Sequence, residues 1–202
     1  MNEDRWGPDG PPLEAYSRVT NPERFAPLHD IATQLLDRLE LEFDAERTEG
    51  YGLDPELEKQ LNTVARPTVI LMPREVDGAP VAVSFSTFPG LYVRFGRWQI
   101  HAFPGCGCDA CDETAEGEAE RLEWLIRNVT EGRFREAISI SDSGPARRRT
   151  DVWSGDGRSE GSESALEPAD ARQLLAGGQR STYLWAPWSK RKRPTADWSQ
   201  QG

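Results

Sequence analysis

The chain has 202 residues, of which 37% are hydrophobic, and its formal charge is -10 at pH 7. The length fits one domain with additional segments, and the net negative charge argues against general affinity for nucleic acid, whose phosphates repel an acidic surface. The longest aliphatic run, Val69 to Met72, is too short to span a membrane, and the first residues lack the basic and apolar regions of a secretory signal, so we expect a cytoplasmic protein with reduced thiols.

The N-terminal part predicts a flexible arm followed by a long helix. Residues 1–20 are rich in glycine, proline and charge, which is typical of a loose segment. Residues 21–23 read as a helix cap followed by proline in the first helical turn. Apolar residues then recur at helical spacing from Leu28 to Phe43 and predict an amphipathic helix that ends near Glu46.

Alternating apolar and polar residues predict an antiparallel sheet in the middle of the chain. Four strand-like stretches follow one another with short turns at Asp77-Gly78 and Pro89-Gly90. They cover residues 68–72, 81–87, 91–95 and 97–101, and residues 134–140 and 181–185 are candidates for two more strands. The predicted fold class is therefore α+β, an antiparallel four- to six-stranded meander sheet with two main helices packed on one face.

The C-terminal half predicts the second main helix and then a less ordered region. Residues 112–131 carry acidic side chains in the first turns and an apolar stripe, which suits a helix. A shift to glycine, serine and acidic residues predicts a mobile loop at about 141–166. We therefore expect one domain over residues 21–188 and a polar C-terminal tail over residues 189–202.

The most informative feature is a cluster of thiols. All three cysteines of the chain, Cys106, Cys108 and Cys111, lie within six residues, and His101 precedes them. Zinc takes four thiolate or imidazole ligands, so the expected metal ligands are His101, Cys106, Cys108 and Cys111. The spacing H-x4-C-x-C-x2-C differs from the standard zinc signatures, because no second cysteine pair is present.

Two other interpretations of the cysteines stay open. Cys108 and Cys111 form a C-x-x-C pair before a helix, an arrangement that lowers a thiol pKa in thiol oxidoreductases. The acidic neighbours of this pair oppose thiolate formation. The third interpretation gives the cysteines no chemistry, because small, weakly polar side chains also suit a tight turn.

An anion site is a further hypothesis. If the strands alternate as predicted, Arg94 and Arg97 share the polar sheet face with His101, and arginine side chains bind carboxylate or phosphate in a bidentate manner. The competing interpretation is an ordinary solvated face of an antiparallel sheet. The basic C-terminal stretch from Lys190 to Arg193 suggests nucleic acid, but the overall charge of -10 opposes it.

Several segments resemble a known family. They are YSRVTNPERF at 16–25, FPGL at 88–91 with GRW at 96–98, and FP at 103–104 leading into CGCDACDE at 106–113. Together they are similar to a family of uncharacterised actinobacterial proteins, catalogued as a domain of unknown function. The resemblance implies a bacterial cytosolic protein and supplies no catalytic residues.

The function expected from the sequence is a non-enzymatic cytosolic binding or interaction module, stabilised by zinc at the cysteine cluster. Its partner is an unknown protein or small molecule, with no membrane and no nucleic acid involved. The alternatives are a thiol oxidoreductase that uses Cys108 and Cys111, and an anion-binding protein that uses Arg94 and Arg97.

Overall fold

The computed structural model describes residues 6–60, 64–140, 145–176 and 181–192. In chain order the elements are α1 (Pro27–Glu42), β1 (Ala45–Gly50), α2 (Pro55–Glu58), β2 (Val64–Pro73), β3 (Val81–Ser86), β4 (Leu91–Phe95), β5 (Gln99–Phe103), α3 (Ala115–Thr130), β6 (Phe134–Ser139), β7 (Ala146–Trp153), β8 (Ser159–Leu166), α4 (Pro168–Leu174) and β9 (Thr182–Leu184). The predicted α+β class is confirmed. Within the described residues, no helix combines the length and the apolar character needed to cross a membrane.

The predicted meander is confirmed as a five-stranded antiparallel sheet with the order β1-β2-β3-β4-β5. Its first strand replaces the end that we predicted for α1. The helix ends at Glu42 and not near Glu46, and Ala45 pairs with Pro73 in β2. Pairing with β2 gives residues 45–50 backbone partners that a longer helix would not provide.

The two main helices pack on one face of this sheet, as predicted. The apolar stripe of α1 meets that of α3 and the inward residues of the strands in one core. Its members include Leu28, Leu35, Leu36, Leu39, Leu122, Leu125, Ile126, Val69, Leu71, Val81, Val83, Phe85, Leu91, Val93 and Phe95. Each fully buried large apolar side chain contributes about 1.5–3 kcal/mol, so this layer holds the sheet and helices together.

The prediction of a long loop over residues 141–166 is wrong for most of that range. Strands β7 and β8 form a hairpin there, paired from Ala146 with Leu166 to Trp153 with Ser159. They belong to a second, four-stranded sheet with the order β8-β7-β6-β9. Strand β7 buries alternate residues in its second half, whereas β8 is largely exposed and is held by backbone pairs and polar contacts, such as the ion pair between Arg147 and Glu163.

The predicted N-terminal arm is docked over much of its described part. Residues 13–17 form a 3₁₀ turn that buries Ala15 completely. The backbone N–H groups of Asp109 and Ala110 donate to the carbonyl oxygens of Arg18 and Ala15, at 2.8 and 3.2 Å. A loose arm is therefore the wrong description of residues 13–20, because long-range backbone bonds fix them.

The start of the predicted C-terminal tail is also attached. The N–H of Asp44 donates to the carbonyl of Ser189 at 2.8 Å, and the N–H of Arg191 donates to that of Glu42 at 2.9 Å. Trp188, which precedes the tail, is 4% exposed. The tail prediction thus fails for residues 189–192, and its remainder, 193–202, lies outside the described residues.

A buried carboxylate joins the two sheets. Glu136 on β6 is 0% exposed and accepts hydrogen bonds from the N–H groups of Arg97, Trp98 and Gln99, at 2.9, 2.8 and 3.0 Å. The indole of Trp185 adds a fourth bond at 3.1 Å. Burial raises the pKa of Glu136, and the three backbone N–H bonds oppose that rise. The turn between β4 and β5 is therefore fixed by an acid from the other sheet.

Candidate metal centre

The loop between β5 and α3 brings the three cysteine sulfurs together. The Sγ atoms of Cys106, Cys108 and Cys111 all lie within 4.8 Å of one another. The Sγ atoms of Cys108 and Cys111 are 3.4 Å apart. Ligands of a tetrahedral zinc–thiolate centre lie about 3.8 Å apart, since each Zn–S bond is about 2.3 Å. The sulfur spacing therefore fits a small thiophilic ion such as zinc.

Glu113 and Arg24 hold the backbone of this loop. The Glu113 carboxylate accepts from the N–H groups of Cys106 and Gly107, at 3.0 and 2.8 Å. The Arg24 guanidinium donates to the carbonyls of Gly107 and Cys108, at 2.9 and 3.4 Å. Gly107 also has a positive φ of 76°, a conformation that glycine adopts readily. The loop is consequently shaped by hydrogen bonds that do not involve the sulfurs.

Asp109, between the cysteines, connects the loop to the N-terminal segment. Its carboxylate accepts from the backbone N–H of Thr20 at 2.9 Å, the hydroxyl of Thr20 at 2.5 Å and the guanidinium of Arg18 at 2.9 Å. These bonds, chiefly those from Thr20, lower the pKa of Asp109 to about 2. The negative field that we expected around the thiols is therefore partly neutralised by Arg18.

The thiols do not ionise equally. Hydrogen bonding from Cys106, followed by the Cys111 backbone N–H, lowers the pKa of Cys108. Hydrogen bonds with Cys108 and Cys106 raise the pKa of Cys111 to about 12. Cys108 is 4% exposed, whereas Cys106 and Cys111 are exposed. Of Cys108 and Cys111, the inner Cys108 therefore forms the thiolate more readily, because hydrogen bonds stabilise it.

His101 is not part of the sulfur group. Its Nδ1 accepts from Arg121 at 3.3 Å and lies 3.7 Å from a Glu160 oxygen, with Phe95 and Phe103 packed beside the ring. Because arginine can only donate, the proton of the neutral imidazole is on Nε2. That nitrogen then has no lone pair to offer a metal. The structure therefore brings together three of the four predicted ligands and places the fourth in a separate polar cluster.

The two arginines of the predicted anion site have different surroundings. Arg94 forms an ion pair with Asp54, whose side chain is 4% exposed, at 2.5 Å. The guanidinium of Arg97 lies 4.8 Å from the ring centroid of Tyr183. Only Arg97 of this pair keeps a guanidinium without a described carboxylate partner.

Sequence reasoning missed the residues that support the cluster. Arg18 and Arg24 lie more than 80 positions from their loop partners, so no local spacing could indicate them. Glu113 was expected only as one of the acidic side chains at the start of the predicted second main helix. Its bonds to the N–H groups of Cys106 and Gly107, seven and six positions earlier, depend on the folded loop, and no local spacing indicates them.

The arrangement can bind a soft metal ion or form a disulfide. Three thiolates satisfy three positions of a tetrahedral ion, and the exposure of Cys106 and Cys111 leaves room for a fourth ligand from outside the cluster. Reduced thiols as close as Cys108 and Cys111 can also be oxidised to a disulfide after a small movement of the sulfurs.

Comparisons with known proteins give a family without a known activity. No curated protein and no solved structure matches the chain. A family model described as a family of unknown function, DUF6226, matches residues 2–192. Because that match spans nearly the whole sequence, the chain belongs to the DUF6226 family.

Proposed function

We propose that this chain is a non-enzymatic binding module of the bacterial cytoplasm, of actinobacterial origin, whose cysteine loop binds zinc through Cys106, Cys108 and Cys111. One observation carries the proposal: the chain has three cysteines, and the sulfurs of all three lie within 4.8 Å of one another. Three sulfurs at this spacing match the donor set that zinc prefers. His101, whose Nδ1 accepts from Arg121, is left out of the ligand set.

The metal would act on the fold through Asp109. Zinc supplies positive charge that removes the repulsion among adjacent thiolates and fixes the loop that carries them. The same loop holds Arg18 and Thr20 through the Asp109 carboxylate. Occupancy of the sulfur site would therefore stabilise the docked N-terminal segment as well as the loop.

The surroundings support binding rather than catalysis. Asp109 and Glu113, two acidic side chains of the loop, already accept several hydrogen bonds each, so neither is poised to take a proton from a reactant. Exposed apolar side chains occur in the docked segment, where Leu13 is 87% and Tyr16 56% exposed. Apolar surface of this kind, next to a metal-fixed loop, suits contact with a partner.

The test is metal content linked to stability. Protein purified without chelator should contain about one zinc per chain, and a chelator should lower its melting temperature. Cys108→Ala should abolish zinc binding, whereas the matched control His101→Asn should retain it. Reduced protein that fails to take up one equivalent of zinc from a chromophoric chelator would refute the metal site.

A thiol oxidoreductase is the second candidate, favoured by the 3.4 Å distance between the sulfurs of Cys108 and Cys111 and by the lowered pKa of Cys108. The Cys108 thiolate would attack the disulfide of a substrate and release one substrate thiolate. Cys111 would then lose its proton and displace the second, which leaves a Cys108–Cys111 disulfide and a reduced substrate.

This candidate predicts that metal-free protein equilibrated with glutathione forms that disulfide with a measurable reduction potential. It also predicts that at least one of the thiols reacts readily with an alkylating agent at neutral pH. Uniformly slow alkylation of all three thiols, with no disulfide formed under oxidising conditions, would exclude the oxidoreductase.

A further inference from the structure

A cleft of about 700 Å³ opens on the sheet face that carries Tyr92 and Arg94. The segment around α2 forms one wall, β4 and β5 form the floor, and the second sheet contributes Arg148 from β7. This volume is within the range of about 300–1,000 Å³ that small-molecule sites occupy. A single inorganic ion would fill only a small part of it.

The charge of the cleft is opposite to that of the whole protein. Three guanidinium groups line it, those of Arg94, Arg97 and Arg148, in a chain whose net charge is -10. Two carboxylates also line the cleft: Asp54 is paired with Arg94 at 2.5 Å, and Glu56, whose side chain is 80% exposed, lies 3.6 Å from Lys59, so the positive charges outnumber the negative ones. Within the described part of the chain, Arg97 and Arg148 form no ion pair. They are therefore the groups available to an incoming anion.

Arg148 has hydrogen-bonding capacity that the protein does not use. Its Nη1 donates to the carbonyl of Trp98 at 3.0 Å. Its Nε is buried and has no partner among the described residues. Because this atom is shielded from solvent, an incoming oxyanion would reach Arg148 through the other N–H groups of its half-buried guanidinium. Because Trp98 follows Arg97 in the chain, this bond from Nη1 places the Arg148 guanidinium beside the backbone next to Arg97, and both residues line the cleft.

Other residues hold this end rigid. Asp54 fixes Arg94, and Arg94 donates to the carbonyls of Gly96 and Arg97 at 3.3 Å each. The carboxylate of Glu136, on β6 of the second sheet, accepts from the backbone N–H of Arg97 at 2.9 Å. The backbone that carries Arg97 is thus set before any ligand arrives, which reduces the entropy lost on binding.

We propose that this cleft binds a small organic oxyanion, with Arg97 and Arg148 as the cationic residues and Arg94 as a positioning residue. The ligand would place a phosphate or carboxylate group on the two guanidinium groups. Its planar or apolar body would lie against Tyr92 on the floor and against the adjacent Trp98. The inference is independent of the metal, because none of the three cysteines lines the cleft.

The experiment uses the full chain and three one-ring probes: phenyl phosphate, benzoate and the neutral control benzyl alcohol. Binding is measured by titration calorimetry and by the NMR signals of the arginine Nε–H groups and the tryptophan indoles, at constant ionic strength. We expect saturable binding of an anionic probe, weaker by about tenfold or more in Arg97→Ala and in Arg148→Gln. The relative affinities of phenyl phosphate and benzoate identify the preferred oxyanion.

Arg149→Ala is the matched control, since it removes the same charge from β7 but leaves the cleft lining unchanged. Arg97 is exposed, so its alanine variant should fold normally, which circular dichroism verifies. The proposal is overturned if neither anion binds saturably, if benzyl alcohol binds as well as the anions, or if the control weakens binding as much as the two cleft variants do.

Discussion

His101 should make folding stability fall as the solution is acidified. Its side chain is 9% exposed, and Arg121 donates to its Nδ1 at 3.3 Å. Burial, followed by the positive charge of Arg121, lowers the pKa of His101 from 6.5 to about 4, although Glu160 opposes the shift. The folded protein therefore holds a neutral imidazole that the unfolded chain would protonate at mildly acidic pH.

The sign and size follow from that difference in pKa. A histidine with a lowered pKa in the folded state contributes stability that is present above pH 6.5 and is lost as the pH falls toward 4. Since one pKa unit corresponds to about 1.4 kcal/mol, the free energy of unfolding should drop by about 2 kcal/mol at pH 5 and by about 3 kcal/mol at pH 4 through His101 alone.

The assay compares urea unfolding of the wild-type protein and of His101→Asn at pH 7, 5 and 4, with chelator present in both so that metal loss does not contribute. Asparagine can still accept from Arg121 but does not titrate. Burial raises the pKa of nearby Glu118, so protonation of Glu118 on acidification raises the free energy of unfolding, opposite to the effect of His101. The comparison of wild type with His101→Asn is therefore repeated in a Glu118→Gln background. A difference in unfolding free energy that stays constant from pH 7 to pH 4 would refute the assignment of a buried neutral imidazole.

Two further predictions concern two buried carboxylates, those of Glu136 and Asp109. Glu136→Gln should lower the free energy of unfolding by about 2–4 kcal/mol, because an amide N–H₂ group would face the N–H donors of Arg97 to Gln99. The exposed control Glu163→Gln should change the free energy of unfolding by less than about 0.5 kcal/mol. Equal urea midpoints for the two variants would contradict this prediction. Asp109→Asn should accelerate hydrogen exchange in residues 13–20, whereas the exposed control Glu116→Gln should not. In the wild-type protein this segment should stay protected at pH 4, because the pKa of Asp109 is about 2 and its bonds are lost only as the pH falls through that value. Unchanged exchange in Asp109→Asn would show that the carboxylate does not hold the segment.

The sequence predicted best where each element buries one regular face. The apolar spacing of α1 and α3 and the alternation in β3 and β4 follow directly from which side chains leave water. The β7–β8 hairpin escaped prediction because its outer strand carries mostly polar residues and depends on backbone pairing. Residues 13–20 escaped for a similar reason, since they are fixed by bonds to a loop about 90 positions away.

For the site, the amino-acid sequence alone confined the three thiols to six consecutive residues, which span at most about 20 Å when extended. The approach of their sulfurs to within 4.8 Å depends on the folded loop. Which other side chains join them was decided only by the tertiary structure. His101 is five residues from Cys106, yet the alternation of β5 and the packing of α3 turn it toward Arg121. Likewise, Arg94 and Arg97 are close in sequence, but Asp54 neutralises one of them, and Arg148, from the second sheet, lines the cleft with the other. Charge compensation and the direction of a side chain depend on elements far apart along the chain. The spacing of neighbouring residues in the sequence therefore cannot predict either property.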